Sequence, residues 1–231
     1  MNLIIKDTDR VLVVAPHPDD ESIGCGGLLA MYGNQCDILL LTDGRKGYDS
    51  SDDVNENELV EIREKELLSA AEIANVRKVY TLRIPDGTAS VNSEKIKAYD
   101  ITPYDIIFVP NRQERHKDHC VVACIFDEMR KRQKPATQIY EYEVWSPLNA
   151  PTHSLNITDI INVKEKMVAQ YKSQIKYVDY VGMALSLSKY RGAGIKVEYA
   201  EAFLYVPNQS LLKKLYHKLP HGFRQLIRKF I

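Results

Sequence analysis

Val11-Leu12-Val13-Val14 is apolar at every position and is closed at once by Pro16 and Pro18. A run that is apolar on both alternating faces belongs to a strand covered on both sides, as in a parallel sheet. Cys36-Asp37-Ile38-Leu39-Leu40-Leu41-Thr42, closed by Asp43-Gly44, repeats the pattern. Val79-Tyr80-Thr81-Leu82 follows, stopped by Pro85-Asp86-Gly87, and then Ile106-Ile107-Phe108-Val109, stopped by Pro110-Asn111. Between these strands the spacing predicts helices over 22–33, 55–74 and from Asp118 to Lys131; the second carries an apolar stripe of Leu59, Ile62, Leu67, Ala70 and Ala71. A strand over Gln138–Val144 comes next, then helices over 163–172 and 179–189 and a late strand over Ala202–Val206. Such alternation implies an α/β fold with a mostly parallel sheet and helices on both faces.

A chain of 231 residues builds one substantial core. The expected organisation is therefore a single three-layer domain over 1–207 and a C-terminal appendage over 208–231. Formal net charge is zero, which gives no reason to expect a nucleic-acid partner. Cys25, Cys36, Cys120 and Cys124 form no CxxC pair and read as buried free thiols suited to a reducing cytoplasm. The N-terminus lacks the apolar core and cleavage site of a signal peptide, and no apolar run is long enough to cross a bilayer.

Two short motifs carry the chemistry. His17-Pro18-Asp19-Asp20 follows the first strand, and His116-Lys117-Asp118-His119 lies a few residues beyond the fourth. In open α/β sheets, ligands gather at the carboxyl ends of strands where the strand order reverses. Loops after strands one and four face each other across such a crevice. His17, Asp19, Asp20, His116, Asp118 and His119 would then meet at one place. Two histidines and a carboxylate suit Zn²⁺ with an open fourth position. Adjacent Asp19 and Asp20 cannot easily point the same way, so one can bind metal while the other takes a proton from water. A protonated or proton-sharing histidine can stabilise the oxyanion and assist the leaving group, and Asp118 can orient it. Taken singly, each motif also reads as an Asx-type turn or a capped helix start.

The paired motifs resemble those of the LmbE-like, or PIG-L, family of zinc-dependent N-acetylglucosaminyl deacetylases, which read HPDDE and HxDH. The likeness extends through Gly24-Cys25-Gly26-Gly27, Leu41-Thr42-Asp43-Gly44, Arg63 and Glu66, Pro85-Asp86-Gly87 and Ala200-Glu201-Ala202-Phe203, covering about residues 8–206. The resemblance implies a Rossmann-like fold and His17, Asp20 and His119 as ligands of Zn²⁺, with Fe²⁺ as the other candidate. It implies Asp19 as general base and His116, with Asp118 beside it, as oxyanion stabiliser or acid. Arg63 matches a substrate-contacting position; a helix salt bridge to Glu66 or Glu58 is its structural alternative. Asp86 is expected either to touch a sugar hydroxyl or to build its turn, the same two readings hold for Glu201, and Glu66 is expected to be structural. The implied activity removes acetyl from an N-acetylglucosamine-type conjugate. The competing expectations are a metal amidohydrolase acting on a thiol conjugate, and a non-catalytic sugar- or nucleotide-binding module. The absence of GxGxxG after the first strand argues against dinucleotide binding.

Two departures from the family pattern stand out. Arg45-Lys46 replaces a common glutamate and points toward an anionic substrate, such as a phosphate- or lipid-linked sugar. Glu114 stands where some members have tyrosine. Residues 208–231 hold six Lys or Arg and no Asp or Glu, with Leu211, Leu212, Leu215 and Leu219 on one face and Phe223, Leu226, Ile227 and Phe230 on another. That pattern suits peripheral contact with a membrane surface, or packing on the domain itself or on a partner subunit.

Overall fold

Residues 1–49 and 51–208 are described by the structure, a computed structural model. The alternation is realised as β1 (Val11–Ala15), α1 (Asp20–Tyr32), β2 (Cys36–Thr42), α2 (Glu56–Ile73), β3 (Lys78–Ile84), α3 (Ser93–Lys97), β4 (Ile106–Pro110) and α4 (Lys117–Gln133). There follow β5 (Gln138–Tyr142), β6 (His153–Asn156), α5 (Ile161–Val168), α6 (Lys172–Ile175), α7 (Tyr180–Ile195) and β7 (Ala200–Val206). The strands form one sheet in the order β3-β2-β1-β4-β5-β7-β6. β3, β2, β1, β4 and β5 run parallel, and β7 lies antiparallel between β5 and β6.

Every residue of β1, β2 and β4 is buried, which explains their unbroken apolar runs. Alternate residues feed two cores. Val11, Val13, Ile38 and Phe108 pack against α1, α2, α5 and α7, while Leu12, Val14, Leu39 and Ile107 pack against α3 and α4. Each fully buried aliphatic side chain of this kind contributes roughly 1.5–3 kcal/mol. The glycines of α1 let it lie close to the sheet: a Cβ on Gly24 would stand 2.8 Å from the carbonyl oxygen of Glu143.

β1 pairs with both β2 and β4, so the strand order reverses between β1 and β4 and their loops meet, as the sequence implies. Four details differ. α1 begins at Asp20 rather than Ser22, because the amides of Ser22 and Ile23 already bond the carbonyl of Asp19. The predicted helix over 163–172 is two, α5 and α6. α3 and the edge strand β6 are too short to show a period. Cys25 and Cys36 are buried, but Cys120 is only partly so and Cys124, on the outer face of α4, is exposed. No helix among the described residues is long and apolar enough to cross a membrane. The basic appendage lies outside the described residues beyond Asn208, whose side-chain amide donates to the carbonyl of Pro135 at 2.7 Å.

Candidate active site

The loop leaving β1 is fixed to the end of β2, where Thr42 donates to the carbonyl of Pro16 from its amide at 2.9 Å and its hydroxyl at 2.7 Å. His17 follows. Its Nδ1 lies 3.2 Å from Asp20 Oδ2 and 3.2 Å from His119 Nε2, and His119 Nε2 lies 3.1 Å from Asp20 Oδ2. Three donor atoms from α1, α4 and the β1 loop thus make a nearly equilateral triangle. The other ring nitrogen of His17 faces Asp86 Oδ1 at 3.1 Å and Asp118 Oδ2 at 3.5 Å. Asp118 also accepts the amides of Gly87 and Ala89 at 2.9 and 3.2 Å. The carboxylate expected beside His116 is thus engaged with His17 and the β3–α3 turn. Asp86 does more than build its turn: it holds a side chain of the triangle.

Asp19 sits next to this triangle with φ 130° and ψ −30°, a conformation that costs a non-glycine residue roughly 1–3 kcal/mol. Two side chains, Arg63 and Glu21, hold it. Arg63, buried on α2, donates to Asp19 Oδ2 at 2.9 Å, to the Pro18 carbonyl at 2.6 Å and to the Gly44 carbonyl at 2.8 Å. Glu21 accepts the Asp19 amide at 3.2 Å and is itself held by the hydroxyls of Ser22 and Tyr171. Neither Glu58 nor Glu66 pairs with Arg63; Glu66 accepts the amide and hydroxyl of Ser173 instead. Glu201 is bonded by the amides of Gly27 and Leu28 and by Lys164, a structural role.

His116 lies across the site, its ring edge-on to His17 at 4.4 Å and 5.2 Å from the His119 ring. The site opens into a cleft of about 450 Å³ whose walls include Arg63, Asp86, His116, Trp145, Gln174 and Tyr180. Sequence reasoning gave no part to the last three. Trp145 follows β5 and packs edge-on to Tyr180 at 5.5 Å. Its loop is fixed by Glu114, whose Oε1 accepts the amides of Val144, Trp145 and Ser146 at 3.0–3.1 Å. The one signal for this wall in the sequence is that Trp145 is the sole tryptophan.

Charges are strongly biased at the centre. Burial opposes protonation of His17, but hydrogen bonds that its ring donates to Asp118, Asp20 and Asp86 outweigh it and raise its pKa well above the usual imidazole value. Burial also opposes ionisation of Asp20, yet the charge and hydrogen bond of His119, then those of His17, hold it far below the carboxylate range. Asp86 is brought down to about 2, burial again being overcome by His17. Burial pushes Asp19 the other way, well above the carboxylate range despite Arg63. That is the direction a general base needs near neutral pH. Burial, and then the charges of His17 and His119, lower His116.

Comparison with known proteins accords with this geometry. Residues 12–129 match the family model described as PIG-L: GlcNAc-PI de-N-acetylase. The chain belongs to the PIG-L family. It is 26% identical to a diacetylchitobiose deacetylase of Thermococcus kodakarensis, over 90% of this chain and 86% of the relative. It is 29% identical to a probable N-acetyl-alpha-D-glucosaminyl L-malate deacetylase of Bacillus cereus, over 71% and 83% of the two chains. Its fold superposes with a TM-score of 0.74 on N,N'-diacetylchitobiose deacetylase from Pyrococcus horikoshii, covering 88% of this chain and 85% of that one at 24% identity.

The PIG-L family implies a metal, and the donor set fits one. Three lone-pair donors converge with edges of 3.1–3.2 Å. Ligands about 2.0–2.1 Å from a tetrahedral ion stand about 3.3–3.4 Å apart. His17 is backed by Asp86 and Asp118, the carboxylate support typical of ligating histidines.

Proposed function

We propose that the chain is a metal-dependent hydrolase that removes the acetyl group from an N-acetylglucosamine-type conjugate. The observation that carries this is the triangle of His17, Asp20 and His119 with Asp19 on one side and His116 on the other. Zn²⁺ or Fe²⁺ held by the three would polarise the acetyl carbonyl and lower the pKa of water toward neutrality. Asp19, fixed by Arg63, takes the proton of the attacking water as the C–O bond forms. His116 donates a hydrogen bond to the oxyanion that develops on the former carbonyl. The C–N bond then breaks, and the proton held by Asp19 passes to the departing amine, so that acetate and a free amino sugar result. Asp86 and Asp118 keep His17 oriented throughout.

The names of the two curated relatives support this substrate class, since both are deacetylases of N-acetylated glucosamine compounds. The test is acetate release, by the metal-reconstituted chain, from N-acetylglucosamine, diacetylchitobiose and phosphate-linked N-acetylglucosamine. Release from at least one, abolished in Asp19→Asn, is expected. Failure on all three, with metal bound, would sink the proposal.

A further inference from the structure

Tyr171 lies between α5 and α6, 150 residues beyond Glu21, and its hydroxyl donates to Glu21 Oε1. The ring is fully buried in the core that also holds Val11, Leu67 and Met167. Phenylalanine would serve that packing as well, so the hydroxyl calls for a reason of its own. Burial, and then the neighbouring Glu21, push the phenol pKa well above its usual value, so the group stays a donor.

Its acceptor is shared with the proposed base. Glu21 Oε1 takes the hydroxyls of Ser22, at 2.6 Å, and of Tyr171, while Oε2 takes the backbone amide of Asp19 at 3.2 Å. The terminal torsion of a glutamate is soft, so Oε2 stays aimed at that amide only while Oε1 is fixed. Ser22 belongs to the same motif and moves with it. Among the described residues, Tyr171 supplies the one hydrogen bond that the Glu21 side chain receives from outside residues 19–22.

Tyr171 is itself firmly placed. Its carbonyl accepts the amides of Gln174 and Ile175, both at 2.9 Å. Ser173 gives its amide and hydroxyl to Glu66 on α2 at 2.8 and 2.7 Å, and Gln174 Nε2 donates to the carbonyl of Gly47 after β2 at 2.9 Å. The segment 171–174 thus joins the β1 loop, the helix that carries Arg63 and the loop after β2.

We propose that Tyr171 is a positioning residue for Asp19: through Glu21, its hydroxyl holds the Asp19 backbone in the positive-φ conformation that keeps the carboxylate beside His17, Asp20 and His119. The proposal rests on the reading of Asp19 as general base and adds to it a residue that touches neither substrate nor metal ligands. At φ 130° a residue with a side chain stays only under constraint. Arg63 constrains the carboxylate, and the Tyr171–Glu21 pair constrains the amide. The metal ligands are anchored without it, since Asp20 Oδ2 accepts the His17 amide at 2.9 Å and lies 3.1 Å from His119 Nε2.

Tyr171→Phe removes the hydroxyl and keeps the ring. It should lower kcat about 10- to 100-fold, as a misplaced catalytic group does, with KM and bound metal unchanged. In the Asp19→Asn background the same substitution should change the residual kcat by no more than about twofold, because no base is left to position. A merely structural role would lower both backgrounds alike. Wild-type kcat in Tyr171→Phe, or an equal fall in both backgrounds, overturns the proposal. Crystal structures of the wild type and Tyr171→Phe give a readout independent of the reaction: Asp19 should keep positive φ in the first and leave it in the second. If no substrate releases acetate, or Asp19→Asn stays fully active, the function or its base fails while that change in φ still supports the tether. An unchanged Asp19 φ in Tyr171→Phe overturns the tether whatever the activity.

Discussion

Arg63 and Asp19 form a buried ion pair at 2.9 Å, and the same guanidinium nitrogen holds the carbonyl of Pro18 at 2.6 Å. One side chain of α2 therefore fixes both the carboxylate and the strained backbone of the proposed general base. In the proposed mechanism Arg63, which also lines the cleft, positions the base, and a second nitrogen ties it to Gly44 on the β2 loop.

Arg63→Ala should be costly on two counts. It leaves a buried carboxylate without its partner, a loss of about 3–5 kcal/mol in comparable pairs, and it releases the constraint on φ of Asp19. Thermal denaturation should show a fall of several degrees, and kcat should drop with little change in KM. Arg63→Lys should restore part of the stability but not the three-point grip, so kcat stays low. A variant whose KM rises while kcat holds would return Arg63 to a substrate-binding role.

Asp19 and Asp20 are neighbours with opposite environments, one pushed up by burial and the other held down by two histidines. Asp19→Asn should retain metal at the wild-type ratio while kcat falls about 10²–10⁴-fold. Asp20→Asn should lose metal and activity together. Metal content by elemental analysis beside acetate release distinguishes the two, and metal loss in Asp19→Asn would exchange the assignments.

The proton on His17 gives a pH signature. Its folded pKa is raised above the unfolded value of about 6.5. The stabilisation it brings to the metal-free protein is complete below that value and is lost as pH rises through the folded pKa. A bound metal replaces this proton, so apparent metal affinity should weaken about tenfold per pH unit on the acid side of the folded pKa. Chelator-treated protein should thus lose melting temperature from neutral toward alkaline pH while metal-loaded protein does not. Parallel melting curves across that range would count against metal binding at His17.

The strands at the centre of the sheet were legible because both faces are covered, leaving apolar runs that only a buried strand explains. That His17, Asp19, Asp20, His116, Asp118 and His119 meet at one place was legible because the two motifs follow strands on either side of the order reversal. What could not be read were contacts made by residues far apart in sequence and free of any local pattern. Arg63 reaches Asp19 across 44 residues, and Asp118 turns to His17 because the β3–α3 turn offers it two amides. β6 has four residues, too few for a period, and it is placed by pairing with β7 and by a bridge from Asn2 to Ser154.

Glu114 stands where some family members have tyrosine, and its contacts give it a task in this chain. Oε1 accepts three successive amides from Val144 to Ser146, so the loop that carries Trp145 into the cleft is organised around one carboxylate oxygen. Glu114→Ala would strand three partly buried donors, at about 1–3 kcal/mol for each left without water. The loop should relax, and Trp145 should leave the edge of Tyr180. Because Trp145 is the only tryptophan, intrinsic fluorescence reports that loop directly. Glu114→Ala should shift the emission to the red and raise KM more than it lowers kcat, since Asp19 and His116 are anchored elsewhere. Glu114→Gln keeps one accepting oxygen and should fall between the two. An emission spectrum identical to wild type in Glu114→Ala would show that the loop holds its place without this carboxylate.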